Sequence, residues 1–220
     1  TLSPLSELRS IDGHFLLGAT SLLTSLEGLE NLEEVGAEMQ LILNEGLTST
    51  DGLEQLRHIG DGLLVWENDA LVSLEGLGRV EEIGANQSIT IAGNDSLTSL
   101  DGLGGLRSAH HLTVQDNRSL TSLEGLSALE SLSDLFIAYN PTITSLDGLS
   151  GIAELGVVVI EGNEALESLS GLSNLVAVID SIYIQDNTAL CESAIQAFVT
   201  GLSEVPEMEQ EDICCNMAVC

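Results

Sequence analysis

The sequence predicts a β-solenoid, a right-handed parallel β-helix built of short coils, and three observations carry that prediction. An [Asp/Glu/Ser]-Gly-Leu triplet recurs with its glycine at Gly28, Gly52, Gly76, Gly102, Gly125, Gly148 and Gly171, at intervals of 24, 24, 26, 23, 23 and 23 residues. That period fits one short strand per coil. An asparagine forms its own column in the same register, at Asn44, Asn68, Asn94, Asn117, Asn140, Asn163 and Asn187, with Thr20 in its place in the first coil. Just before each asparagine, apolar residues alternate, as in Leu63/Val65, Ile89/Ile91, Leu112/Val114, Leu135/Ile137 and Ile182/Ile184. Alternation enriched in β-branched residues is the strand signal.

The array begins almost at once, since Leu5, Leu8 and Ile11 already show the repeat's apolar spacing. Each coil reads as a strand ending at the asparagine, an inward Leu or Ile (Leu47, Leu71, Leu97, Leu120), and a Ser-x-x-Gly-Leu turn. A second apolar pair three apart then follows, as in Leu56/Ile59 and Val80/Ile83. These requirements leave no room for a long helix, so the return leg is expected to be a short second strand or a 3₁₀ piece. Residues 1–190 thus form a repeat solenoid of about eight coils. At roughly 4.8 Å per coil they make a rod about 40 Å long. After Cys191 the spacing changes: Ala194, Ile195, Phe198, Val199 and Leu202 fall at helical intervals, with Gly201 and Pro206 as stops. Residues 191–220 are therefore expected to form a helical, disulfide-bonded C-terminal cap, with Phe198 plugging the end of the core.

Composition agrees with this architecture and excludes several classes of function. Hydrophobic residues make up 44% of the chain but aromatics only 3%, so the core must be aliphatic. Five arginines and no lysine stand against 35 acidic residues, a net charge of −30. Binding to phosphate needs basic neutralisation, so neither nucleic acid nor an anionic membrane is an expected partner. No apolar run is long enough to span a bilayer, and no basic-then-apolar leader opens the chain, which reads as a mature, processed product. All four cysteines, Cys191, Cys214, Cys215 and Cys220, follow the last complete repeat. Even in number and clustered, they are expected to pair as disulfides in an oxidising compartment. Of the three pairings open to them, those joining Cys214 and Cys215 separately to Cys191 or Cys220 are favoured.

The combined pattern Asn-x-x-Leu-x-Ser-Leu-[Asp/Glu]-Gly-Leu-x-x-Leu-x-x-Ile, from about Leu5 to Leu190, resembles the receptor L-domain branch of the leucine-rich-repeat proteins. The end of the array, Asn187-Thr-Ala-Leu-Cys191 followed by a helix-like stretch and further cysteines, is similar to the end of bacterial members. The resemblance implies a receptor L-domain type of solenoid in a secreted or cell-surface protein of bacterial origin. It does not carry hormone binding with it, because the chain lacks the receptors' cysteine-rich modules.

Three side-chain columns invite functional readings. The asparagines suit structural hydrogen bonding along the stack, and the serines Ser25, Ser49, Ser73, Ser99, Ser122, Ser145 and Ser168 suit turn capping. No histidine in the repeat is placed to activate those serines as nucleophiles. The carboxylates Glu27, Asp51, Glu75, Asp101, Glu124 and Asp147 form a third column, and if they line up they either splay into solvent or hold a cation. Their oxygen-only chemistry would favour calcium, the one cofactor the sequence suggests. A broken threonine column beside the serines (Thr24, Thr48, Thr98, Thr121, Thr144) makes a poor flat ice-binding surface. His14, His58, His110 and His111 share no column and read as surface or edge residues. The outward strand face instead gathers Leu64, Trp66, Phe136, Tyr139, Val159 and Tyr183, including the only Trp and both Tyr of the chain. Exposed aromatics among acids have the composition of a recognition patch. The expected function is therefore non-enzymatic binding of an extracellular protein or glycan. Self-assembly into a fibre or surface layer is the alternative.

Overall fold

The computed structural model describes residues 2–84, 88–206, 213 and 216. Its chain forms a parallel β-solenoid of about seven turns closed by one short helix. One wall is an eight-stranded sheet of β2 (Phe15–Gly18), β4 (Met39–Ile42), β6 (Leu63–Trp66), β8 (Ser88–Ala92), β9 (His111–Gln115), β10 (Asp134–Ala138), β11 (Glu154–Glu161) and β12 (Ala177–Gln185). These strands pair in parallel, each with the next coil, from β2 at one end to β12 at the other. A second, four-stranded wall joins β1 (Ser10–Ile11), β3 (Glu34–Val35), β5 (His58–Ile59) and β7 (Glu82–Ile83). The return legs contain 3₁₀ turns at Glu75–Leu77, Asp101–Leu103, Glu124–Leu126 and Ser170–Leu172. Both alternatives read from the sequence therefore occur, in different parts of the coil.

The core is one continuous aliphatic column. From Leu26 to Leu190 the repeat's Leu, Ile and Val positions are buried, and Leu8, Ile11, Phe15 and Leu17 of the first coil pack partly buried against them. Within it the asparagines form an unbroken ladder. Each amide oxygen accepts the backbone N–H and the side-chain Nδ2–H of the asparagine one coil earlier, as Asn117 Oδ1 does from Asn94 N (3.1 Å) and Nδ2 (3.2 Å). The Thr20 hydroxyl begins the ladder by donating to Asn44 Oδ1 at 2.8 Å. Asn216 ends it by accepting from Asn187 N at 2.9 Å and donating to the Ile184 carbonyl at 2.8 Å. The ladder thus extends one rung past the repeat itself.

From Asn68 onward each asparagine also holds a turn that the repeat pattern does not announce. The residue before the asparagine, or before Thr20 in the first coil, adopts the left-handed conformation: Ala19, Leu43, Glu67, Asp116, Tyr139 and Asp186 have φ between 52° and 57°, and Gly93 and Gly162 take the same place. That conformation costs roughly 1–2 kcal/mol for a residue with a side chain. The asparagine Nδ2–H reaches back across it to the carbonyl two residues earlier, for example Asn117 to Gln115 and Asn140 to Ala138, both at 2.9 Å.

The corner between the two walls changes character along the rod. In the early coils it is glycine on glycine, Gly36, Gly60 and Gly84, where a Cβ on Gly60 or Gly84 would stand 2.0 Å from the preceding glycine's carbonyl oxygen. Later coils place His110, Ser133 and Gly156 there, and β11 and β12 run through the corner as single long strands with a register shift between Leu155 and Val157. At the C-terminal end α1 (Glu192–Gly201) covers the core, with Ile195 fully buried. Ile195 is therefore the plug; Phe198, expected in that role, packs only partly buried against the core. Cys191, immediately before α1, is disulfide-bonded. Cys214, Cys215 and Cys220 lie outside the described residues. Among the described residues no helix is long and apolar enough to cross a membrane.

Candidate functional site

The outward face of the long sheet is set by strand alternation. Leu63 and Val65 point into the core, so Leu64 and Trp66 must point out. Because every strand pairs in parallel and in register, equivalent side chains line up in rows across the coils. One row carries Leu64, Thr90, Thr113, Phe136, Val159 and Tyr183, each the direct partner of the next. The next row holds Trp66, Ala92 and Gln115. Five of the six expected face residues thus lie on these rows, with Trp66 and Tyr183 each 41% exposed.

Tyr139 departs from this arrangement. Strand β10 ends at Ala138, and Tyr139 occupies the left-handed turn, so alternation no longer decides where its side chain goes. Its ring lies over Gly162 of the next coil, where a Cβ would stand 2.5 Å from ring carbon Cδ1. Its hydroxyl donates to the Glu161 carboxylate. That hydrogen bond, and then desolvation and the charges of Glu161, Asp186 and Asp116, raise the phenol's pKa above its ordinary value. Tyr139 is a rim residue fastened to its neighbouring coil.

A groove of about 530 Å³ lies where the two rows meet the turns. Trp66, Leu64, Thr90, Ala92, Thr113 and Gln115 line it on the strand side, and Glu67, Asp69, Asp95, Asp116 and Arg118 on the turn side. Arg118 is already engaged, with Nη1 3.0 Å from Asp95 Oδ2. Gln115 Nε2 donates to Asp116 Oδ2 at 2.8 Å. The groove therefore offers a mixed wall of apolar and hydroxyl or amide side chains with one exposed indole, flanked by four carboxylates and a single, partnered guanidinium. Such a surface suits sugar hydroxyls or a cationic protein surface and disfavours anions.

The other expected columns are placed plainly. Glu27, Asp51, Glu75, Asp101, Glu124 and Asp147 are exposed. The serines before them cap the turn: Ser73, Ser122 and Ser168 accept the N–H two residues on, at 3.0 Å. The Thr48 and Thr121 hydroxyls donate to carbonyls of the preceding coil. Among the described residues, the one group of three or more side chains with ligand atoms close enough to share a metal ion is His110, His111 and Asp134. These histidines share no repeat column, and the sequence therefore offered no periodic signal for them. Their departure from the glycine corner of the earlier coils is the signal that was available.

Neither the family models nor the curated protein sequences contain a match to this chain. The likeness to receptor L-domain repeats rests on the motif itself, and the surface must be read from its own chemistry.

Proposed function

We propose that the chain is a non-enzymatic recognition module that binds a protein or glycan partner through the outward face of its long sheet, at the groove beside Trp66. The observation that carries the reading is the position of Trp66: a large aromatic side chain, 41% exposed on a rigid strand, beside a groove with an acidic margin. Rigid aromatic anchors next to polar rims are where binding energy concentrates at interfaces. The fixed, hydrogen-bonded coils underneath mean that little ordering entropy is lost on binding. The motif's likeness to secreted bacterial repeat proteins, together with the cysteine-rich end, supports a place of action at or outside a bacterial cell surface.

Capture from the native extracellular milieu, and a glycan array, are the direct tests. Replacing Trp66 and Tyr183 together by alanine is expected to weaken binding of the captured partner by at least about 30-fold, the equivalent of a hot-spot residue. Melting is expected to stay close to that of the parent chain, because both side chains are largely outside the core. Undiminished binding by the double variant would remove the strand face from consideration.

A second reading has an observation of its own. Strand β2 stands at one end of the long sheet, and Leu22 in the same coil is 93% exposed. Among the described residues this terminal strand is paired on one side only, and an exposed leucine beside it favours association of copies at this end or side by side, as in a fibre or surface layer, since α1 covers the other end. Light scattering over a hundredfold range of concentration separates the two: growth in size with concentration, suppressed by Leu22→Glu, is expected of the fibre, and a constant monomer of the recognition module.

A further inference from the structure

The corner of the solenoid at the other end of the same strands carries a second constellation, independent of the groove. His110 and His111 close the corner of one coil, and Asp134 follows the corner of the next. Parallel pairing sets Asp134 directly beside His111. Their side chains meet with His111 Nδ1 2.6 Å from Asp134 Oδ2. The two imidazole rings lie 4.2 Å apart, centre to centre. One nitrogen from each histidine and one Asp134 oxygen all fall within 4.8 Å of one another. Three donors from two coils are thus gathered by backbone register, with no loop to order.

The surrounding groups hold these donors in place. The second Asp134 oxygen, Oδ1, accepts the Val157 N–H at 3.0 Å. His110 Nδ1 lies 2.7 Å from Ser133 Oγ. The His110 carbonyl accepts the backbone N–H of both Ser133 (3.0 Å) and Asp134 (2.9 Å), fixing one coil against the next. Partners of this kind orient metal ligands and tune their basicity. On the open side Gly156 leaves space where a Cβ would stand 2.9 Å from Asp134 Oδ1 and 3.0 Å from Asp180 Oδ2. The site is open to solvent on the histidine side, where the His111 side chain is 39% exposed, while Asp134 is more covered.

We propose that His110, His111 and Asp134 form a binding site for a divalent transition-metal ion of the zinc class, bridging two coils. Two imidazoles and one carboxylate suit zinc, which takes nitrogen and oxygen ligands at about 2.0–2.2 Å. Calcium, an oxygen-preferring ion, is disfavoured by the same set. Adjacent ligands of a tetrahedral zinc stand roughly 3.3 Å apart, given bonds of about 2.0 Å. The His111–Asp134 pair, now 2.6 Å apart, therefore opens by about 0.7 Å to admit the ion. Three protein ligands leave a fourth position for water. The ion would clamp coil to coil at the point where the glycine corner has been abandoned.

The test is calorimetric titration of the full chain, disulfides intact, with zinc chloride in a non-chelating buffer, together with melting curves and the visible absorption of a cobalt(II) complex. Saturable binding of one ion is expected, with a higher melting temperature and a cobalt spectrum of nitrogen and oxygen ligation. His111→Gln and Asp134→Asn are each expected to weaken binding by at least about tenfold. Because those two residues also touch each other at 2.6 Å, His110→Gln provides a variant that leaves that contact intact, and it is expected to lose affinity to the same degree. Absence of binding by the parent chain overturns the proposal. So does binding that all three variants retain, or a cobalt spectrum dominated by thiolate charge transfer, either of which places the ion elsewhere. None of these outcomes bears on Trp66, so the two sites stand or fall separately.

Discussion

Asn117→Ala is expected to lower the stability of the chain by about 4 kcal/mol, read from the shift of the urea unfolding midpoint at constant slope. The side chain is fully buried, and its donors serve the carbonyls of Ile91 and Gln115, both at 2.9 Å, and Asn140 Oδ1 at 3.2 Å. Its oxygen accepts from Asn94 N and Nδ2. Alanine takes five hydrogen bonds away and leaves the buried Asn94 N–H without its acceptor, a loss worth roughly 1–3 kcal/mol on its own, while the other former partners each keep a remaining bond or lose one of about 1 kcal/mol. It also releases the left-handed turn at Asp116, whose strain the Asn117–Gln115 hydrogen bond offsets. Asn117→Asp is expected to be worse than alanine. It keeps the acceptor but replaces the donating amide with a charge facing three acceptor oxygens, with no counter-ion. Thr20→Val provides the contrast: it removes one part-buried hydroxyl bond at the start of the ladder and should cost about 1 kcal/mol. If Asn117→Ala costs no more than Thr20→Val, the ladder is not what holds neighbouring coils together.

The ladder marks how far the sequence could be read. Period, strand positions, inward leucines and the serine caps were legible because each is a property of one coil repeated many times, and the C-terminal helix because its own helical spacing replaces the repeat after Cys191. The left-handed residue before each asparagine, and before Thr20, was not, since Ala19, Leu43, Glu67, Asp116, Tyr139 and Asp186 have no side-chain chemistry in common. Only Gly93 and Gly162 in that column hinted at it. That omission is what set Tyr139 among the strand-face residues, when the chain had already left the strand. The His110–His111–Asp134 group was hidden for the opposite reason. It occurs once, and its members are brought together by contact between coils, so it appears in the sequence only as an interruption of the glycine corner. Asn216 was missed likewise, because it joins the ladder from beyond the last repeat.

Gly102→Ala is expected to cost at least about 3 kcal/mol, beyond the ordinary penalty for an added methyl group, because the obstruction is backbone and cannot rotate away. A Cβ at Gly102 would stand 1.8 Å from the Leu74 carbonyl oxygen and 2.1 Å from its carbon, on the preceding coil. Relieving that contact means separating the two coils at the turn by more than an ångström. The same separation would strain the Asn68–Asn94 hydrogen bonds (3.1 Å) that join those coils. Gly125 and Gly171 face the same arrangement, with carbonyl oxygens 2.1 Å and 1.9 Å from the added carbon. The glycine of the repeat therefore sets the spacing between coils. Gly13→Ala is the matched control, since nothing lies within 4 Å of its added carbon and its φ lies outside the left-handed region. There the substitution acts mainly by reducing the freedom of the unfolded chain, and it should leave stability unchanged or raise it by up to about 0.5 kcal/mol. Urea unfolding of both variants reads the difference directly. A Gly102→Ala chain as stable as the Gly13→Ala chain would mean that the coils do not approach this closely.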